Sequence, residues 1–458
     1  MFSVTSPGFV AFVAVLLALW YHAPARRRAG LLLAAGLLFD LVLAGPWGVV
    51  LLLGACTAVW WAARQLGGAH RRIWLAVGLG AALGPLLVLK YTGMLWAPAQ
   101  GWWQPLGLAY YSLQLVSYLV DVWHGQPAEP RPERVWCFAS FFLSMTQGPF
   151  NRYHRLMPQL ETACPHRADF VQGMQRSAWG YFKKYAIAER CAVVVNAVFA
   201  QPLAYDRSQI LLAMVLFAFQ LYADFSAYTD IVLGVGQAMG LTLPENFRQP
   251  FLAATTQELW ARWHISFSQW LRDYVYIPLG GNRKGRARKD LNLLLTFAVS
   301  GLWHGAGLTY LVWGALFGLY QALENHLPWR GKLRRGVPRA VGIAGTFALF
   351  VATFTIFRAT SLQNAGQMFY GLLHNAGHAA LSNYWSLGLT SRLEQLLLFA
   401  GVALLVLVDV LHENGVHLRQ RLAARPWPVR LLVYEAALIA FLFMGRFMGG
   451  GGFLYARY

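Results

Sequence analysis

Acidic residues and cysteines are what this chain is shortest of. Its 458 residues include 19 Asp and Glu against 38 Lys and Arg, and charged side chains make up only 12% of the total. Soluble domains carry about 25%, so a water-exposed surface of ordinary size is excluded. The four cysteines, Cys56, Cys137, Cys164 and Cys191, form no CxxC pair, so neither a disulfide framework nor a zinc knuckle is expected. No haem-attachment motif and no glycine-rich nucleotide loop is present. The absence of an internal repeat counts against an inverted-repeat transporter. Met1–Tyr21 lacks a basic leading region, and its arginines follow the apolar stretch, which reads as a retained first helix rather than a signal peptide.

Hydrophobic sequence is abundant, at 57% of residues. Gly30–Leu43, Val49–Ala63, Ile73–Leu89, Ile210–Gln220, Val341–Phe357 and Leu396–Leu411 are separated by short polar breaks. The expected fold is all-α: a polytopic helical membrane protein with about 10–12 transmembrane or re-entrant helices. Several runs fall short of the roughly 20 residues of a full span, so tilted, broken or re-entrant helices are expected. A single integral membrane domain over 1–458 is expected, with N-terminal helices at 1–125, a core at 126–335 and C-terminal helices at 336–458. The basic excess follows the membrane rather than nucleic acid. Arg26–Arg28, Arg64, Arg71, Arg72, Arg131 and Arg134 fall at every second connection, while Gly45-Pro46 and Thr92–Gln104 are nearly uncharged. That alternation places the basic loops in the cytoplasm and the N-terminus outside.

The densest chemistry lies in "TTQELWARWHISFSQWLRDYVYIPLGGNRKGRARK", Thr255 to Lys289. Wound at about 100° per residue, Glu258–Tyr274 gathers Trp260, Trp263, Phe267, Trp270, Leu271 and Tyr274 on one face. Glu258, Arg262, Gln269 and Asp273 take the other. An amphipathic helix lying in the membrane interface over 256–276 is expected, ended by Pro278–Gly281. Arg262, Arg272 and Asp273 read as a solvated or headgroup-facing surface, or else as a cradle for the phosphates of a cytoplasmic donor.

Downstream, the apolar stretch Leu291–Gly318 holds His304 about half-way along, among Gly301, Gly305, Ala306 and Gly307. Ionisable groups inside a membrane point to function. An imidazole kept neutral by apolar surroundings can take a proton from a hydroxyl, as acyl transfer to an alcohol requires. A structural histidine bonded across a helix pair satisfies the same sequence. His264 reads as a second polar group or as an interfacial ring packed on tryptophans. No nearby carboxylates or thiolates complete a metal set with these histidines. Asp224 and Asp230 lie in an apolar segment; Asp224 shares a helix face with Tyr228, and pairing with Tyr or Arg competes with a catalytic role.

Several segments together resemble one family. "NFRQPFLAATTQELWARWHISFSQWLRDYVYIPLGGNRKG" and "GLWHGAGLTYLVWGALFG" are accompanied in order by "PLGLAYYSLQLVSYLVDVW", "QGPFNRY", "GYFKKYAIAER", "YADFSAYTDIVLG" and "GGFLYARY". The chain resembles the membrane-bound O-acyltransferases, and within them the bacterial branch that holds the alginate O-acetylation membrane subunit. Ala227 stands where that branch has glycine. The resemblance implies helices around a central funnel in a bacterial inner (cytoplasmic) membrane. It implies His304 as the catalytic histidine, His264 as the second motif histidine and Asp224 as the acidic motif residue. Trp303, Trp263, Tyr228, Arg262, Arg272, Asp273, Tyr274 and Asn246 complete the expected substrate-binding set. No tightly bound cofactor or metal is implied. The donor is acetyl-CoA or an acyl-carrier thioester from the cytoplasm. The partners are membrane lipid and either a periplasmic SGNH-type acyltransferase or an exported or cell-wall polysaccharide acceptor, with no nucleic acid. The D-alanyl branch serving teichoic acids is the nearest alternative. A proton-coupled transporter or flippase, and a structural scaffold of a secretion complex, are the alternatives of other classes.

Overall fold

The computed structural model describes residues 3–95, 105–327, 336–376, 387–389, 391–447 and 453. The tail glycines Gly449–Gly452 and most of the uncharged connection Thr92–Gln104 lie outside the described residues. Helices dominate, and the described residues contain no strand, only an isolated antiparallel bridge between Phe247 and Trp263. Among the described residues, six helices are long and apolar enough to cross a membrane. The protein is an all-α, multi-pass membrane protein.

In chain order the helices are α1 (Pro7–His22), α2 (Ala25–Gln65), α3 (Arg71–Leu95), α4 (Leu108–Trp123), α5 (Pro132–Ala139), α6 (Tyr153–Thr162) and α7 (Arg167–Phe182). A π-helical stretch, Lys183–Ala188, leads into α8 (Glu189–Ala200) and the long α9 (Arg207–Ala238). Then come α10 (Thr256–Arg262), α11 (Ile265–Leu271), a second π-helical stretch Arg272–Tyr276, α12 (Arg286–His304) and α13 (Leu308–His326). The chain continues through α14 (Gly336–Arg358), α15 (Leu362–His374), α16 (Arg392–Glu413), α17 (Leu418–Ala423) and α18 (Trp427–Met444). Local chemistry sets many of these ends. Ser6 accepts a hydrogen bond from the Phe9 N–H with Pro7 in the first turn, and Thr255 and Ser391 cap α10 and α16 in the same way. The 41 residues of α2 would run about 60 Å as one rod, twice a bilayer core. Gly45, at φ 72° and ψ −178°, breaks it ahead of Pro46, where the uncharged connection is expected.

Two compact units emerge. The first comprises Met1–Ser177 and Thr229–Glu245, the second Ala178–Tyr228 and Asn246–Tyr458. Within the first, Trp20 Nε1 donates to the Met239 carbonyl at 3.0 Å. Arg176 is held by Asp230 at 2.8 Å and by both oxygens of Glu245 at 2.7 and 2.5 Å, so Asp230 finds the arginine partner that its position calls for.

The second unit holds the two motif histidines. The apolar stretch Leu291–Gly318 is not one helix; it divides at Gly305–Gly307 into α12 and α13, which pack side by side. Glycine permits the approach: a Cβ on Gly301 would lie 2.2 Å from the Tyr310 carbonyl oxygen, and one on Gly314 would lie 2.2 Å from that of Phe297. His304 is therefore the last residue of α12 rather than a mid-span residue. The interfacial helix expected as one rod over 256–276 is also broken. Trp263 is extended (φ −111°, ψ 129°) and His264 is left-handed (φ 46°, ψ 50°).

Gly314→Ala should lower stability by about 1–3 kcal/mol, read as earlier thermal unfolding in detergent. Gly80→Ala should melt like the parent, because a Cβ at Gly80 meets nothing within 4 Å.

Candidate active site

His304 is almost fully buried, and its ring is enclosed by aromatic rings rather than lipid. Trp313 and Phe357 meet it edge-on with centroids 5.1 and 5.3 Å away, Trp303 lies at 4.8 Å and Phe267 at 5.9 Å. α12 supplies the histidine and Trp303; α11, α13 and α14 supply the other walls. Edge-to-face ring pairs are worth about 0.5–1.5 kcal/mol each beyond the area they bury, so the enclosure is rigid as well as dry.

His264 packs against the same Phe267–Trp303 pair, whose own centroids are 4.5 Å apart. Its ring lies 4.9 Å from Phe267, 6.4 Å from Trp303 and 4.8 Å from Phe225. The left-handed backbone of a non-glycine residue is uncommon and has to be held. Asn246 holds it: its carbonyl accepts from the Ile265 N–H at 3.0 Å. Its side-chain Oδ1 accepts from the Ser266 N–H at 3.2 Å and from the Ser266 hydroxyl at 2.6 Å. The Arg248 N–H bonds the Arg262 carbonyl at 2.9 Å, closing the bracket. Asn246, expected among the substrate-binding residues, is fully buried with its Oδ1 committed to this turn. Burial pushes the His264 imidazole down to about 3, which keeps the ring neutral at physiological pH.

The turn also redirects its neighbours. Trp263 leaves the aromatic face expected of a continuous helix and packs among Phe247, Phe350 and Phe354 at 5.0, 5.1 and 5.7 Å. Arg262 is not on a solvated face. Its guanidinium takes Glu413 with two bonds of 2.7 and 2.9 Å and Glu258 with one of 2.8 Å. Burial raises the Glu258 carboxyl, but the Ala254 N–H and the Arg262 and Arg339 guanidinium groups outweigh it and hold the group below the usual carboxylate range. Arg272 does stay exposed and Asp273 is half-buried, the two paired at 2.8 Å. Tyr274 lies tilted against Trp270 with ring centroids 5.3 Å apart.

Asp224 is buried beside a lysine, where Tyr or Arg was the expected partner: Lys184 Nζ lies 2.7 Å from Asp224 Oδ1 and 2.7 Å from Glu189 Oε1. Next to it Lys183 Nζ donates to the Ser226 hydroxyl at 2.6 Å. The π-helical winding places Lys184 and Glu189 on one side. Tyr228 is buried against Phe453 at 5.2 Å, and the Lys184 ammonium sits 4.7 Å from the same ring. Among the described residues, no three His, Cys, Asp or Glu side chains gather as a metal site requires.

Over residues 134–328 the chain matches the model of the membrane-bound O-acyltransferase family. It is 36% identical over 392 residues to the probable alginate O-acetylase AlgI of Pseudomonas fluorescens, covering 81% of this chain and 75% of the relative. This chain belongs to the membrane-bound O-acyltransferases. It is also 30% identical over 346 residues to the peptidoglycan O-acetyltransferase of Helicobacter pylori, covering 67% of this chain and 65% of that one. With the teichoic acid D-alanyltransferase of Bacillus subtilis it shares 30% identity over 233 residues, 48% of this chain and 57% of the relative. As a member of this family the protein is a membrane-bound acyltransferase.

Sequence reasoning missed Lys183, Lys184, Glu189 and Glu413. A lysine pair inside "GYFKKYAIAER" is a visible signal, since paired ammonium groups in an apolar region need acids nearby. Glu413 lies 151 residues from Arg262 and leaves no local trace.

Two outcomes follow. An unfolded chain protonates a histidine near pH 6.5 while folded His264 resists until about 3, so its contribution is complete above pH 6.5 and is lost as pH falls from there. Thermal melts from pH 7.5 to 4.5 should show a stability slope of at most about 1.4 kcal/mol per pH unit from this residue, absent in His264→Asn. Removing one member of a buried ion pair costs about 3–5 kcal/mol. Lys184→Met, which strips both carboxylates of their cation, should therefore destabilise more than Asp224→Asn, which leaves Glu189 in place; detergent melts of the two variants decide it.

Proposed function

We propose that this protein is an O-acetyltransferase of a bacterial inner membrane that moves an acetyl group from a cytoplasmic thioester, acetyl-CoA or an acyl-carrier protein, toward the hydroxyl of an exported or cell-wall polysaccharide. The enclosure of His304 carries the reading. A buried imidazole at a helix end can accept a proton at the moment an oxygen attacks, and its burial keeps out water that would hydrolyse the thioester. The alcohol or partner-enzyme hydroxyl adds to the thioester carbonyl as its proton passes to the imidazole. The C–S bond then breaks, and the same proton goes to the departing thiolate. Thioester and alcohol become ester and thiol, with no net proton released. The carbonyl end of α12 carries partial negative charge, which favours the imidazolium cation while it lasts.

Trp313 Nε1 and the Ser300 hydroxyl, on the wall and one turn back along α12, make no hydrogen bond among the described residues. They are the groups suited to the reacting oxygen. His264, packed on Phe267 and Trp303, acts as a supporting polar group. The basic loops between Arg26 and Arg134 support cytoplasmic delivery, and the five basic residues Arg283–Lys289 stand ready for the donor's phosphates. Acetyl is favoured over D-alanyl by the span of the match, 81% of this chain against 48%. A periplasmic acyltransferase of the SGNH type, or the glycan itself, takes the group on the far side.

His304→Ala and His304→Gln should leave the amount of protein in the membrane unchanged and lower alkali-releasable acetate on the cell's polysaccharide by at least about 100-fold. Acetylation that persists in both variants removes His304 from the chemistry.

A further inference from the structure

α18 is 18 residues long and crosses the apolar region with no buried residue of its own. One face is used: Phe441 packs on Tyr185 at 6.1 Å, and the Met444 carbonyl accepts from Arg190 Nε at 2.7 Å. Wound at about 100° per residue, Tyr434, Phe441 and Met444 share that side. The opposite side is a continuous stripe of Leu431, Leu432, Leu438, Ile439 and Leu442, all within about 60° of one another's centre and all exposed. At that centre stands Glu435, also exposed. It is the ninth residue of the helix, about 13 Å from either end, and a glutamate is too short to reach either interface from there. No hydrogen bond or ion pair to Glu435 exists among the described residues. Arg430, the other charge on α18, stacks on Trp427 at 5.6 Å and points to a different side.

A carboxyl group facing hydrocarbon at mid-depth is unfavourable and is kept only where something meets it. We propose that this stripe is the docking face for one transmembrane helix of a partner protein, and that the partner helix carries a lysine or arginine at mid-depth opposite Glu435. Leucine and isoleucine on both sides of the carboxyl supply van der Waals packing, and the cation supplies direction and register. A second copy of this chain fits less well. Two-fold symmetry about the membrane normal would set Glu435 against Glu435, like against like. None of these residues belongs to the acyl-transfer site.

The test uses the full-length protein in phosphatidylcholine vesicles, with a donor dye at Arg425→Cys in a Cys164→Ser background; Cys56, Cys137 and Cys191 are buried and do not label. The probes are acceptor-labelled polyleucine transmembrane peptides carrying one central lysine, a central leucine instead, or a lysine moved seven residues toward one end. Energy transfer should appear with the central-lysine peptide only and fall at least fivefold with Glu435→Leu. It should fall also with Leu432→Ala plus Ile439→Ala, which keeps the carboxyl but thins the stripe. Thermal melts of each variant confirm that it is folded. Transfer that is indifferent to Glu435, or equal for central and displaced lysine, overturns the proposal. So does Glu435-dependent transfer between differently labelled copies of the protein itself, which would assign the face to self-association.

Discussion

Contact between the backbones of α12 and α13 is the constraint on which the site depends. Gly301 and Gly314 let the two helices meet at a distance that any side chain would forbid. The break at Gly305–Gly307 then leaves His304 at a helix end, facing Trp313 across the pair. A continuous helix would have turned the imidazole by the ordinary helical period and carried it along the span. The break instead holds it still, inside rings from four separate elements. The burial of the ring keeps it from both bulk water and lipid.

Three buried or half-buried cations share one pattern. Lys184 lies between Asp224 and Glu189, Arg262 between Glu258 and Glu413, and Arg176 between Asp230 and Glu245. Each cation has two carboxylates. In a chain with twice as many basic as acidic residues, six of the scarce acids are placed on these three cations, while buried Lys183 and Arg190 bond a hydroxyl and a carbonyl. Low-dielectric surroundings make such pairing a requirement for these cations, and geometry makes it specific: Arg262 ties α10 to the end of α16 next to the turn that holds His264.

Membrane class, helical content and the break at Gly45-Pro46 were legible because composition and periodicity report directly on what can sit in hydrocarbon. The burial of His304 was legible as well, since a titratable ring between tryptophan and glycine in an apolar run has no water to face. Periodicity failed at Trp263–His264. Nothing within Glu258–Tyr274 says that the helix stops; Asn246 and Phe247, fifteen and more residues upstream, stop it by offering better partners to Trp263, Ile265 and Ser266. With the turn in place, Trp260, Phe267, Trp270 and Leu271 keep their buried facing, but Arg262 proved to be buried and Trp263 to pack among phenylalanines away from them. The break after His304 was half-visible in its glycines, which were read as packing residues and served as both packing and hinge. Long-range partners such as Glu413 for Arg262 were beyond any local pattern.

The π-helical stretch Lys183–Ala188 carries a consequence for how this chain can vary. A π-turn holds one residue more than the α-turn it replaces, so α8 is out of phase with α7 by a single position. Deleting one residue there would straighten the helix at little local cost yet swing everything after it by about a quarter of a revolution, parting Lys184 from Glu189. Length in this segment is thus as strictly specified as identity, and a single-codon loss would be felt as a rotation.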